Sequence, residues 1–327
     1  MRALVCKEYG ALDLLQVENR PEPVLADGKV IVDVEAASVN YPDTLIVQGK
    51  YQHKPELPFV PGFEVAGRVA EVGKGVTHLK VGDHVAAVCG IGGFAERVVT
   101  DGNAAVKLAP SIDFATAAAM PLTYGTSYHA LVDRAQLRAG EVLLVLGAGG
   151  GVGTAAVELG KLLGATVIAA ASSAEKLAAA RGLGADHLID YSREDLRARL
   201  KEITGTKGVD VVYDPVGGPY AEPAFRALGW EGRYLVVGFA AGEIPRLPLN
   251  LPLLKGSSLV GVFFGEFTKR SPTRSAEELT RLMDYLAQGR IRPIVGARFP
   301  LADAVQALRC VAERRAVGKV IIVMRGR

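Results

Sequence analysis

The chain is poor in the residues that whole classes of protein depend on. Cysteine occurs 3 times in 327 residues, as Cys6, Cys89 and Cys310. So few thiols, odd in number and scattered, exclude a disulfide framework and suit a reducing compartment. An excess of charge of one sign is also missing. Lys and Arg number 38 against 35 acids, a formal charge of +3, which argues against nucleic acid as the main partner. The pairs Lys269-Arg270 and Arg314-Arg315 read as solvated faces unless a ligand phosphate meets one of them. No uninterrupted apolar stretch follows Met1 in Met-Arg-Ala-Leu-Val-Cys-Lys-Glu, so a signal peptide and export are not expected, and a cytoplasmic protein is. Ala115 to Val132 carries no Asp, Glu, Lys or Arg, but Pro121, Gly125 and several hydroxyls interrupt it, which fits a buried domain junction better than a bilayer span. No membrane segment is expected. Internal repeats and low-complexity tracts are absent, and His53, His78, His84, His129 and His187 show no metal-ligand spacing.

What remains is an ordinary globular composition. Apolar residues make up 49% and charged residues 22%, enough for well-buried cores. The length exceeds what one core usually serves, so two domains are expected. From Met1 to about Val106, Val- and Ala-rich runs at Lys29 to Glu35, Glu64 to Val72, His84 to Val88 and Phe94 to Val99 alternate with turn residues and read as a largely β domain. Gly73-Lys74-Gly75 and Val81-Gly82-Asp83 supply turns. After Pro121 the rhythm becomes strand, helix, strand. Leu143 to Leu146, Thr166 to Ala170, His187 to Ile189, Val209 to Tyr213 and Tyr234 to Val237 are strand candidates, with helices around 155 to 163, 174 to 182, 193 to 203 and 220 to 228. That alternation predicts a doubly wound parallel sheet with helices on both faces. Leu259 to Phe264 reads as a sixth, apolar edge strand, to be covered by a helix of the chain or paired with a second copy in a homodimer. Glu277 to Gln288 and Ala302 to Arg314 read as helices, and Lys319 to Met324 as a terminal strand returning to the first domain.

The densest motif lies at Ala148-Gly149-Gly150-Gly151-Val152-Gly153, between the apolar run Val142 to Leu146 and a small-residue helix. It is a dinucleotide fingerprint with alanine in the first place. Gly150 lets the backbone approach a pyrophosphate, Gly153 lets helix and strand pack closely, and amides at the helix start point at the anion. An NAD site places an acid at the end of the second strand, where this chain has Ala169-Ala170-Ala171-Ser172-Ser173. Two hydroxyls and then Lys176 suit a ribose phosphate instead, so NADPH is the expected cofactor. The plainer alternative is that Ser172 or Ser173 only caps a helix and Lys176 is solvated.

Gly140-Glu141, Leu144, Ala148 to Gly151, Gly153 and Lys161 fall at the spacing of a family signature. On these residues, with Gly82-Asp83-His84-Val85 and the closing Gly318-Lys319-Val320, the chain resembles the zinc-free quinone oxidoreductase group of the medium-chain dehydrogenase/reductases, which includes the zeta-crystallins. Glu158 departs from the signature, which usually has glutamine there. The resemblance implies a GroES-like, mainly β catalytic domain over 1–122 and 267–327, a Rossmann domain over 123–266, and an active cleft between them. By the same comparison Lys176, Tyr191 and Arg314 contact the adenosine 2′-phosphate, Tyr191 having core packing as its alternative role. Zinc relatives carry a ligand cysteine where this chain has Asn40 and a ligand histidine where it has Phe63, and their structural zinc loop is missing, so no metal is expected.

Without a Lewis acid nothing lowers an alcohol's pKa, and reduction is easier to support than alcohol oxidation. Hydride transfer to a quinone or an enone needs hydrogen-bond donors for the developing oxyanion, and the resemblance implies Asn40, Tyr51 and Thr126, which match family positions lining the substrate cleft, as the candidates. Asp43 and Glu64 read as scaffold, since an acid beside an oxyanion opposes it unless protonated. Some relatives have a tyrosine at the position of Leu45, so the pocket here is expected to be more apolar. A quinone reductase is the first expectation and an enone or enoyl-thioester reductase the second. A non-catalytic NADPH-binding, crystallin-like or RNA-binding protein is the third.

Overall fold

The computed structural model describes residues 1–324, which divide into two compact units: Met1–Gly125 with the chain from Phe267 onward, and Thr126–Glu266. In the first unit a seven-stranded sheet is organised around the strand Lys29–Val39. Its Val- and Ala-rich sequence suits a pleated, buried surface. It pairs antiparallel with Glu64–Val72, Arg97–Asp101 and the last strand, Lys319–Val323, and two register shifts along it mark bulges that bend it from one partner to the next. His84–Val88, Ala105–Lys107 and Val295–Pro300 complete the sheet. The core beneath holds Leu4, Val30, Val32, Val34, Val65, Val85, Phe94, Leu308 and Ile322.

The expected strand at Phe94 to Val99 begins only at Arg97. Phe94 instead fills the core, and its carbonyl accepts a hydrogen bond from the Leu4 N–H. Ala115 to Val132 forms no long helix. It breaks into Phe114–Ala118, Thr123–Tyr128 and a π-helical stretch, His129–Arg134. No helix among the described residues is long and apolar enough to cross a membrane.

The second unit is a six-stranded parallel sheet in the order His187–Asp190, Thr166–Ala171, Val142–Leu146, Val209–Asp214, Leu228–Val236, Ser258–Gly261. This is the doubly wound Rossmann order, whose ligands bind beyond the carboxyl ends of the strands. The central strands are near-continuous apolar runs because both of their faces are buried. Several boundaries differ from the sequence expectation. The helix Ala221–Arg226 is shorter, and the next strand starts at Leu228 because Gly229 runs against the backbone of the preceding strand's approach; a Cβ there would stand 2.4 Å from the Lys207 carbonyl oxygen. The edge strand ends at Gly261, not Phe264. Val262 N–H still bonds the Val236 carbonyl, after which Phe264–Arg270 turns helical.

Candidate functional site

In the second unit the strand Val142–Leu146 delivers the chain to Gly147, whose φ of +62° turns it sharply into the helix Gly151–Leu162. Three glycines of the turn, Gly149, Gly150 and Gly153, face different surroundings. At Gly153 an added Cβ would lie 2.1 Å from the Gly147 carbonyl oxygen and 2.8 Å from Ala148 Cα, so only glycine lets the helix seat on the strand. At Gly149 it would strike the Lys176 stem at 2.4 Å, which sets the base of that lysine directly on the turn. At Gly150 it would meet only the Gly147 carbonyl, at 3.5 Å. That open side, together with first-turn amides that lack intrahelical acceptors, forms a cradle for an anion. Ala148 is buried, and Val152 accepts through its carbonyl a 3.0 Å hydrogen bond from Ser127 Oγ. Ser127 in turn stands 2.9 Å from the buried Tyr213 hydroxyl. With the serine proton committed to Val152, the phenol is the donor of that contact. Thr126, 9% exposed, adjoins Ser127 in the chain and so shares this anchoring.

At the end of the second strand, Ser173 caps the helix Ala174–Gly182, its hydroxyl accepting from the Lys176 N–H at 3.4 Å; Ser172 is exposed. Tyr191 bonds through its N–H to the Ala171 carbonyl, and its ring packs on Tyr220 at 4.2 Å between centroids. The turn after Val209–Asp214 is held by Asp214, whose carboxylate accepts from the Val216 and Gly217 N–H groups at 2.7 and 2.8 Å and from the Tyr234 hydroxyl. Burial raises the Asp214 pKa, with those donors opposing the rise. Two residues of the glycine-turn signature have structural work: Glu141 takes a two-pronged ion pair from Arg233, and Lys161 joins Asp186. Arg314 belongs to the first unit, exposed just past the helix Ala304–Ala312, in the left-handed region at φ +58°.

The first unit gathers a second set of groups. Asn40 ends the strand Lys29–Val39 and starts the short helix Tyr41–Ile46, where Pro42 is tolerated because first-turn amides need no helical acceptor. The Asn40 side chain is fully engaged. Nδ2 donates to Glu64 Oε1 at 2.8 Å and to the Ser38 carbonyl at 3.3 Å, and Oδ1 accepts from Lys319 Nζ at 2.6 Å. Glu64 also takes Lys319 Nζ at 3.1 Å and, on its other oxygen, the Leu122 N–H at 2.7 Å. Asp43 accepts from the Asn40 and Gly62 N–H groups at 2.8 and 3.1 Å. Gly62 is obligatory there: its φ is +107°, and a Cβ would stand 2.6 Å from the Phe94 nitrogen.

Burial pushes the Asp43 pKa up to about 7, with Glu64 adding to the rise and the backbone donors and Lys319 opposing it. Half-buried Tyr51 packs edge-on against Phe63, ring centroids 5.8 Å apart, and burial followed by the Asp43 charge raises its phenol pKa. Cys89 donates to the Gly62 carbonyl at 3.3 Å, and burial holds it strongly in the thiol form. Leu45 is half-buried. Sequence reasoning did not single out Lys319, Tyr213 or Asp214 as site residues. For Lys319 the available signal was a cation at the head of an otherwise apolar strand.

Comparisons with known proteins place the chain in a family. Residues 26–110 match the family model described as alcohol dehydrogenase GroES-like domain, and residues 151–284 that described as zinc-binding dehydrogenase. The chain is 39% identical over 328 residues to a quinone oxidoreductase-like protein 2 homolog of Nematostella vectensis, covering 98% of this chain and 88% of that protein. Among solved structures, the Escherichia coli quinone oxidoreductase complexed with NADPH superposes with a TM-score of 0.92 at 30% identity, covering 99% of this chain and 100% of the other. The CurK enoyl reductase gives 0.88 at 26% identity, with 99% of each chain covered.

Proposed function

Because the chain belongs to the zinc-free quinone oxidoreductase group of the medium-chain dehydrogenase/reductases, we propose that it is an NADPH-dependent reductase that passes hydride to a quinone without a metal. The observation that carries the cofactor assignment is the turn itself. Gly150 leaves room over a helix start, and the base of Lys176 rests on Gly149 beside a strand end that lacks a carboxylate. Gly149 to Gly153 would hold the pyrophosphate, and Ser172, Ser173, Lys176 and Tyr191 the 2′-phosphate end. Bound there, NADPH supplies the hydride. The chain's part is to bind and orient it and to stabilise the charge that develops on the acceptor oxygen.

Both amide hydrogens of Asn40 are spent on Ser38 and Glu64, so in this reading Asn40 holds its surroundings in place and Tyr51 is the oxyanion donor of the first unit. A phenol with a raised pKa stays protonated at neutral pH and donates without becoming a base. One observation favours a second reading. The Tyr51 phenol, held protonated by burial and the Asp43 charge, also suits an enone or enoyl thioester, and the CurK enoyl reductase is among the structures this chain resembles.

The deciding experiment follows NADPH consumption by the chelator-treated protein with a naphthoquinone beside a small enone. Faster quinone turnover supports the first reading, and preference for the enone moves the function to carbon–carbon double bonds. Tyr51→Phe should lower turnover with either acceptor while leaving NADPH affinity alone; undiminished turnover removes Tyr51 from the chemistry.

We also infer a homodimer. The edge strand Ser258–Gly261 has an unpaired side, Leu259 is 41% exposed, and Trp230, Leu249, Leu253, Leu254 and Phe263 are exposed in the same unit. A second copy related by a two-fold axis would pair edge to edge and cover these residues. Light scattering tests this, with Leu259→Lys expected to give monomer.

A further inference from the structure

Lys319 has no part in the cofactor contacts or oxyanion donors assigned above, yet it is the most deeply placed cation in its unit among the described residues, 3% exposed with three hydrogen bonds, to Asn40 Oδ1, Glu64 Oε1 and the Val39 carbonyl. A buried ion pair seldom outperforms apolar residues of the same volume, so stability alone accounts poorly for a lysine here. The charge count is also uneven. Glu64 and Asp43 are both fully buried, and one ammonium neutralises only one of them. The cluster is neutral while the other acid keeps its proton.

We propose that Lys319 is a positioning residue for the reduction: its ammonium locks the Asn40 amide with the oxygen turned toward it and, by pairing Glu64, keeps the floor beside Tyr51 from carrying a net negative charge. The inference rests on the reading of Tyr51 as an oxyanion donor. The groups that bear on Asp43 come from every neighbouring segment: the Asn40 N–H from its own helix start, the Gly62 N–H, Glu64 from its strand and Lys319 from the last strand. Tyr51 and Cys89 respond to the Asp43 charge in turn, each discouraged from ionising. An oxyanion forming against Tyr51 meets the same opposition once Asp43 is ionised. Turnover therefore falls as pH rises through the Asp43 ionisation, and Lys319 sets where that happens.

The test follows the Asp43 carboxyl by ¹³C NMR in protein labelled at aspartate side chains, assigned with Asp43→Asn, beside the pH dependence of kcat with a naphthoquinone and saturating NADPH. Lys319→Met should raise the Asp43 midpoint by about one pH unit or more, as loss of a nearby cation does, and carry the alkaline limb of kcat upward with it. Lys319→Arg should bring both back toward the parent. An unmoved Asp43 midpoint in Lys319→Met, or a moved midpoint with an unmoved kcat limb, overturns the proposal and leaves a structural ion pair. If Lys319→Met does not fold, Lys319→Met/Glu64→Gln, which strands no charge, is compared with Glu64→Gln, and the same shift is required. The NMR arm does not depend on turnover, so failure of the Tyr51 reading, seen with Tyr51→Phe, is distinguishable from failure of the Lys319 assignment.

Discussion

The glycine turn of the second unit and the charge cluster of the first both end on backbone hydrogen bonds, but they are assembled over very different chain distances. Gly147 to Lys176 is a single turn–helix–strand passage ending in the first turn of the next helix, and its shape follows from where side chains are missing. The cluster joins Asn40 to Lys319 across 279 residues, and its shape follows from where side chains are present. A site made of absent side chains tolerates no additions. A site made of paired charges tolerates no single removals.

The comparison breaks most severely at Gly153. Gly153→Ala drives a methyl into the Gly147 carbonyl, and we expect a loss of about 3 kcal/mol in stability together with loss of NADPH binding, measured by denaturant unfolding and fluorescence titration. Gly150→Ala, the same methyl three residues earlier, should leave the unfolding curve in place while NADPH affinity falls roughly tenfold to a hundredfold, or about 1.4–2.8 kcal/mol. Parallel losses in both variants would mean that Gly150 is structural and the cradle is misplaced.

On the cluster side the sharpest probe is pH. The folded pKa of Asp43, about 7, lies above its ordinary 3.8, so the folded state favours the protonated form. The stability this contributes is fully present below about pH 4 and is lost as pH rises through 7. Asparagine does not titrate. The stability of Asp43→Asn relative to the parent should therefore rise between about pH 5 and pH 8, by on the order of 2 kcal/mol, in scanning calorimetry at both pH values. A constant difference would show that Asp43 titrates normally. The smallest effect is expected at Tyr213→Phe, which removes the donor to Ser127 but leaves the Ser127 bond to Val152, at a cost of about 1 kcal/mol.

Much of the second unit was legible because its signals are local. The alternation of apolar runs with helical stretches indicated a parallel sheet, and the glycine spacing located the turn. Errors there fell where a neighbour overrides propensity. Val262, Phe263 and Phe264 look like strand, but after the Val262 N–H bond to Val236 the chain leaves the sheet and turns helical. In the first unit Asn40 was legible as a site residue, but its commitment was not. No sequence pattern states that both of its amide hydrogens already have acceptors in Ser38 and Glu64.

The sequence by itself determined a largely β first unit, a doubly wound parallel sheet in the second, the dinucleotide turn and the missing acid at the end of the second strand, because each is a matter of residue type at short spacing. The pairing of Lys319 with Asn40 and Glu64, the proton that Asp43 retains near neutral pH, and the contact of Lys176 with Gly149 were decided only by tertiary structure. Hydrogen bonds and desolvation depend on which atoms meet and how deeply they are buried, and neither is a property of any one stretch of chain.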